Sequence, residues 1–186
     1  MLINCRSVKN KTDELTGLVS SFGSDIVIGS ESWLDESISS SEVFPAEYVV
    51  YRKDRNTHSG GVFVLVKHSL RSFVVNFEAK SCESVWCKVV LEQNKHLTVG
   101  AFYRPPNHNS SHTFNTLSQI LLTVSTDYTF SSVVTLICRV RSGLTNFQYF
   151  LRAHPCRRRF TIFLQHMAFI NSWRDQHGAM AMPLPP

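Results

Sequence analysis

Short apolar runs separated by turn signals recur through the first 130 or so of this chain's 186 residues and then stop. Any well-patterned fold has to be built from that front part. Asp25-Ile26-Val27-Ile28-Gly29 is a β-branched run bounded by small residues, the pattern of a strand buried on both faces. Leu2-Ile3 reads as the stub of a strand ending at Asn4. Between them, Lys11 to Ser20 carries Leu15, Leu18 and Val19 at helical spacing, with Thr12 or Asp13 as cap. An acidic, Ser-rich loop is expected over 35–47. Strands are expected at Tyr48–Arg52, Gly61–Lys67, Phe73–Phe77, Ser84–Leu91 and His96–Tyr103. Arg55-Asn56-Thr57-His58-Ser59-Gly60 is a turn, Pro105-Pro106 stops the last strand, and Phe114–Thr126 reads as a helix. Helix, strand, a run of hairpins and a second helix predict an α/β sandwich. After Val134 no convincing element is read, and Arg157-Arg158-Arg159 and Pro183-Leu184-Pro185-Pro186 fall in a region expected to be poorly packed.

Charge divides the chain at the same place. Residues 1–134 hold 12 Lys and Arg against 13 Asp and Glu, whereas residues 135–186 hold seven Arg and one acid, Asp175. The net charge of +5 therefore comes from the tail, and basicity does not argue for nucleic-acid binding by the front part. Five scattered cysteines without a C-x-x-C pair suit free thiols in a reducing compartment. The eight histidines form no H-E-x-x-H motif. No apolar run approaches the roughly 18 residues of a membrane span, and Met1-Leu2-Ile3-Asn4-Cys5-Arg6 does not start a signal peptide. An intracellular, nuclear or cytoplasmic location is expected, with no membrane and no small-molecule cofactor; the oligomeric state is open.

Taken singly, the candidate site residues have ordinary explanations. Glu31 could be a solvated acid at a strand end, Asn4 a turn former, and Tyr103 a core aromatic. Their order changes that estimate. Seven blocks follow one another with consistent gaps: Asn4-Cys5-Arg6-Ser7-Val8 with Asn10-Lys11, Leu15–Leu18, Asp25–Ile28, Glu31-Ser32-Trp33-Leu34, Tyr51-Arg52-Lys53-Asp54-Arg55, Gly60-Gly61-Val62 and Tyr103-Arg104-Pro105-Pro106.

This series resembles the endonuclease domain of non-LTR (LINE-type) retrotransposons, in the group similar to jockey and the chicken repeat elements, within the endonuclease/exonuclease/phosphatase superfamily. The resemblance covers residue 2 to about residue 130. It implies an incomplete DNase-like α/β sandwich, about the first half, and Mg²⁺-dependent nicking of DNA to prime reverse transcription. By that resemblance Glu31 is the metal carboxylate, Asn4 orients metal and phosphate, Tyr103 contacts the phosphate through its hydroxyl, and Arg104 is a substrate-binding charge partner. The chemistry suits those residue types, because Mg²⁺ prefers hard carboxylate oxygens and neutralises charge on a scissile phosphate.

The family's second half brings a Gly-Asp-Phe-Asn strand end, a later Asp and a terminal Ser-Asp-His. None of these motifs occurs in this sequence, and Asp175 and His177 are in no such context. The tail does permit the first of them in another frame. Val133 to Val140 can be encoded so that a one-base offset reads Gly-Asp-Phe-Asn-Leu-Pro-Gly. The same offset over His166–Ala179 permits His-Gly-Leu-His-Gln and a later Pro-Thr-Arg-Gly, similar to a downstream stretch of such elements. A one-base insertion or deletion near codons 125–132 follows, dividing the chain into residues 1–132, the front of the endonuclease domain, and residues 133–186, a frame-shifted tail. The expected function is metal-dependent phosphodiester hydrolysis by family, with this chain itself inactive. The alternatives are a non-catalytic remnant and a basic nucleic-acid-associating fragment. A superfamily phosphatase fits less well. Loss of the second half also predicts exposed apolar strand edges and marginal stability.

Overall fold

The computed structural model describes residues 1–56, 58–77, 83–92, 96–104, 115–120, 123, 130–139, 146–147, 150–154 and 157–163; at residue 104 and over 130–163 the description is of the backbone. Strand β1 (Leu2–Asn4) leads into helix α1 (Thr12–Phe22), which returns the chain to β2 (Ile26–Ser30), parallel to β1. Asp13 and Glu14 in the first turn of α1 complement the positive end of the helix. Lys11, with no side-chain cap, occupies the N-cap position in place of the expected Thr12 or Asp13. The helix stops at Gly23, whose left-handed backbone (φ 57°) lets its N–H reach the Ser20 carbonyl.

The segment expected as loop over 35–47 contains a short helix, α2 (Ser40–Val43). Ser39 and Glu42 form a reciprocal capping box there. Strands β3 (Tyr48–Lys53) and β4 (Val62–Lys67) complete a four-stranded sheet of order β1-β2-β4-β3, with β4 antiparallel to both neighbours.

The second sheet contains β5 (Ser72–Val75), β6 (Glu83–Val90), β7 (His96–Arg104), β8 (Phe130–Arg139), β9 (Asn146–Phe147), β10 (Phe150–His154) and β11 (Arg157–Phe163). Its order is β11-β10-β8-β7-β6-β5, with β9 paired to β8. Residues 115–120 are helical, with Leu117 and Ile120 buried; the rest of the helix expected over Phe114–Thr126, apart from residue 123, lies outside the described residues.

Period-two alternation along β4 explains why the sheets stack. Val62, Val64 and Val66 point into the interface between sheets with Leu2 and Ile28, against Val85, Cys87, Val89, Val99 and Ala101 of the second sheet. Phe63 and Leu65 point the other way, into a core with Leu15 and Val19 of α1 and Phe44 beyond α2. The first sheet is thus buried on both faces, and each apolar side chain so enclosed contributes roughly 1.5–3 kcal/mol. Two glycines face aromatic rings on neighbouring strands. A Cβ at Gly29 would lie 2.0 Å from Phe63, and one at Gly100 would lie 2.1 Å from Trp86.

The strand expectations up to Tyr103 hold with shifts of one or two residues, and β5 ends at Val75. The later part differs from the sequence reading. β8 extends past Val134, and β10 and β11 fall where no element was read. β8 lies parallel to β7 along the whole length of β7, so that edge of β7 is paired. Backbone pairing is the physical reason: an open, otherwise buried strand edge offers N–H and C=O groups to any extended segment within reach. Among the described residues the outer strands of the second sheet are β5 and β11, and Phe73 and Val74 of β5 are exposed.

Candidate active site

Three strands of the two sheets end near one another. Asn4 closes β1, its register partner Ser30 closes β2, and Tyr103 stands one residue before the end of β7. Glu31 follows Ser30 directly. The Tyr103 hydroxyl donates a hydrogen bond to Glu31 Oε1 across the sheet interface, at 3.2 Å. The structure therefore brings together two of the sequence-predicted residues that lie 72 positions apart, and Asn4 sits on the strand beside them. Arg104 is the last residue of β7, paired in register with Cys138; its side chain lies outside the described part of the structure.

Burial gives this cluster its character. Ser30, Glu31 and Ser32 are 0%, 2% and 0% exposed, a run of three polar residues where apolar ones would be more stable. Asn4 Oδ1, Ser30 Oγ and Ser32 Oγ are enclosed without a hydrogen-bond partner. An unsatisfied buried polar atom costs about 1–3 kcal/mol, so each such group calls for an explanation.

The backbone around the site is held in an uncommon conformation. Arg6 (φ 46°), Ser7 (φ 82°), Glu31 (φ 55°) and Trp33 (φ 54°) all occupy the left-handed region. Non-glycine residues there cost about 1–3 kcal/mol each and persist only where the surroundings over-determine them. The surroundings do so here through backbone hydrogen bonds. The Ser7 and Val8 amides donate to the Glu31 and Ser32 carbonyls at 2.9 and 3.0 Å, tying the loop after β1 to the loop after β2. On the other side, the Ser32 and Trp33 amides donate to Gly61 and Gly60. Gly61 (φ 82°) has to be glycine on two counts, since a Cβ would also lie 2.2 Å from Ser32 Oγ.

Two charged residues brace these loops. Lys11 Nζ donates to the Cys5 and Arg6 carbonyls at 2.9 and 3.3 Å, closing the loop after β1. Glu83, opposite Tyr103 in the β6–β7 register, accepts the Gly61 amide at 2.7 Å and pairs with Arg55 at 3.0 Å. Sequence reasoning did not single out Ser30, Lys11 or Glu83 as site residues. Lys11 stood inside a quoted block and Ser30 directly before one, whereas nothing around Glu83 in the sequence marks it.

Cys5 lies beneath the first loop and is no candidate nucleophile. Burial pushes its thiol up to about 12, the Glu31 charge pushes the same way, and Lys11 opposes both. For a metal, the relevant atoms are hard oxygens. A carboxylate with a buried, unpartnered amide oxygen nearby is a donor set that Mg²⁺ accepts, because that ion is commonly held by one or two carboxylates plus water. The residues present fit such an ion. Among the described residues no three His, Cys, Asp or Glu side chains are grouped to hold a metal unaided.

No protein-family model and no curated protein sequence matches the chain. Solved structures do match its fold. The endonuclease domain of TRAS1, a telomere-specific non-LTR retrotransposon, aligns at 12% identity and a TM-score of 0.54, over 73% of this chain and 56% of that one. The AP endonuclease LMAP from Leishmania major aligns at 8% identity and 0.56, over 73% and 53%. An endonuclease/exonuclease/phosphatase from Bacteroides vulgatus aligns at 12% identity and 0.53, over 74% and 64%. The chain spans 53–64% of the length of these three proteins. Two face-to-face sheets with helices packed outside match the endonuclease/exonuclease/phosphatase fold of these structures, of whose length the chain spans a little over half.

Proposed function

We propose that Asn4, Glu31 and Tyr103 are the metal- and phosphate-facing set of a Mg²⁺-dependent, DNA-nicking phosphodiesterase of the retrotransposon kind, and that this chain by itself turns over only at background. The observation that carries the first half is the bond from Tyr103 to Glu31, which joins the two sheets inside a buried polar cluster. Mg²⁺ at this place would neutralise charge on a scissile phosphate. The Glu31 carboxylate and Asn4 Oδ1 would hold it. Tyr103 fixes the carboxylate's orientation, and its hydroxyl is the group that turns to a phosphate oxygen of the DNA backbone. The strained loops keep Glu31 from relaxing into solvent, so its charge stays where the phosphate arrives.

The second half of the proposal rests on β8. Its register sets Val134-Thr135-Leu136-Ile137 beside Gly100-Ala101-Phe102-Tyr103. The codons of Val133 to Ile137 permit Gly-Asp-Phe-Asn in the offset reading, and the residues that stand there, Val134-Thr135-Leu136-Ile137, would deliver no acid or amide to the site. Loss of one member of a cooperating catalytic set commonly lowers kcat by several orders of magnitude.

Relaxation of supercoiled plasmid tests both halves. With Mg²⁺, this chain and Glu31→Ala are expected to nick at the rate of a buffer control. A chain with the frame restored from codon 133 is expected to gain nicking that Glu31→Ala removes. Robust Mg²⁺-dependent nicking by the present chain would overturn the inactivity. A frame-restored chain whose nicking ignores Glu31→Ala would overturn the site.

A further inference from the structure

The polar atoms at the ends of β1 and β2 are not all used by the set above. Along β1, Leu2 faces the interface between the sheets; Asn4, two residues on, lies on the same face. Along β2, Ile28 faces that interface, and Ser30 follows at the same spacing. Asn4 and Ser30 are register partners on adjacent parallel strands, so their side chains stand side by side. Ser30 is fully buried, and neither Ser30 Oγ nor Asn4 Oδ1 has a hydrogen-bond partner. The two do not satisfy each other. Leaving both enclosed in an apolar sheet interface is costly unless something else pairs with them.

We propose that Ser30 is a positioning residue of the cation seat, its hydroxyl completing with Asn4 Oδ1 and the Glu31 carboxylate an all-oxygen lining for a hydrated divalent cation. The inference rests on the reading of Glu31 as the metal carboxylate. A serine suits the place because its oxygen is hard, neutral and able to donate or accept, whereas a second carboxylate there would repel Glu31. The adjoining Ser32 does not share this role by the same argument, because its Oγ packs against Gly61 rather than beside Asn4.

Binding of Mn²⁺ alone to the full chain, followed by the electron paramagnetic resonance signal of the free ion, separates the possibilities without an activity measurement. The intact chain is expected to take up one Mn²⁺ weakly. Ser30→Ala should weaken that binding about tenfold, the usual scale for losing an outer ligand-orienting group, and Ser30→Thr, which keeps the hydroxyl, should restore most of it. Without cation, Ser30→Ala should melt no lower than the parent, since it removes an unsatisfied hydroxyl. Unchanged Mn²⁺ affinity in Ser30→Ala, with binding lost in Glu31→Gln, overturns the role of Ser30 and leaves the Glu31 site standing. Affinity unaffected by Glu31→Gln, or no uptake by the intact chain, overturns both. A lower melting temperature for Ser30→Ala with affinity intact assigns Ser30 to packing and also overturns the proposal.

Discussion

Removing the Tyr103 hydroxyl, by Tyr103→Phe, tests whether the two sheets meet as described. The bond it makes to Glu31 Oε1 is 3.2 Å long and buried, with Tyr103 4% and Glu31 2% exposed. Hydrogen bonds to charged groups contribute about 1.5–3 kcal/mol. Short hydroxyl–carboxylate bonds measure about 2.5–2.7 Å, so this longer one belongs at the lower end, about 1.5 kcal/mol. That is a loss of roughly 3–6 °C in Tm for a chain of this size. The aromatic ring stays, so no cavity contributes. The discriminating assay is a double-mutant cycle with Glu31→Gln, read by urea unfolding at neutral pH. If the two groups touch, Tyr103→Phe should cost about 1 kcal/mol less in the Glu31→Gln background than in the parent, because the weaker amide oxygen has less to lose. Additive effects, with a coupling energy below about 0.3 kcal/mol, would refute the contact and with it the convergence of β2 and β7 on one site.

Three further outcomes follow from the packing. Gly29→Ala should destabilise by about 3 kcal/mol, the upper end for overpacking, since its Cβ would lie 2.0 Å from the buried Phe63 ring; Phe63→Leu should recover part of this in thermal melts. Glu83→Ala should loosen the Gly60–Gly61 turn, speeding hydrogen exchange at the Ser32 and Trp33 amides about tenfold while the β4 amides stay protected. Burial raises the Cys5 and Cys87 thiols from 9.0 to about 12. The folded chain then holds those protons where the unfolded chain releases them. Their contribution is intact below pH 9 and declines as the pH rises from about 9 toward 12. The double variant Cys5→Ala/Cys87→Ala should flatten the alkaline limb of a stability–pH profile.

Much of the front part could be read from local pattern. The all-apolar run Val62-Phe63-Val64-Leu65-Val66 announces a strand buried on both faces, and Leu15, Leu18 and Val19 announce one face of α1. Helix α2 could have been read as well, since Ser39 and Glu42 stand at capping-box spacing; the serine-rich, acidic composition obscured it. Strands β8 to β11 could not, because their formation depends on an edge offered by β7 and not on a period of their own. The left-handed φ of Arg6, Ser7, Glu31 and Trp33 was equally invisible, as none is a glycine.

The order of seven motifs, through its resemblance to a known family, nominated Asn4, Glu31 and Tyr103; residue type and order by themselves determined helix α1, the strands up to Tyr103 and the α/β class. Those properties are local, or repeat with a period that a linear chain displays. Only the tertiary structure decided that Tyr103 reaches Glu31, that Ser30 is sealed beside Asn4, and that Glu83 braces Gly61. Each of these depends on strand register and sheet stacking, where a slip of one residue would turn every side chain to the opposite face.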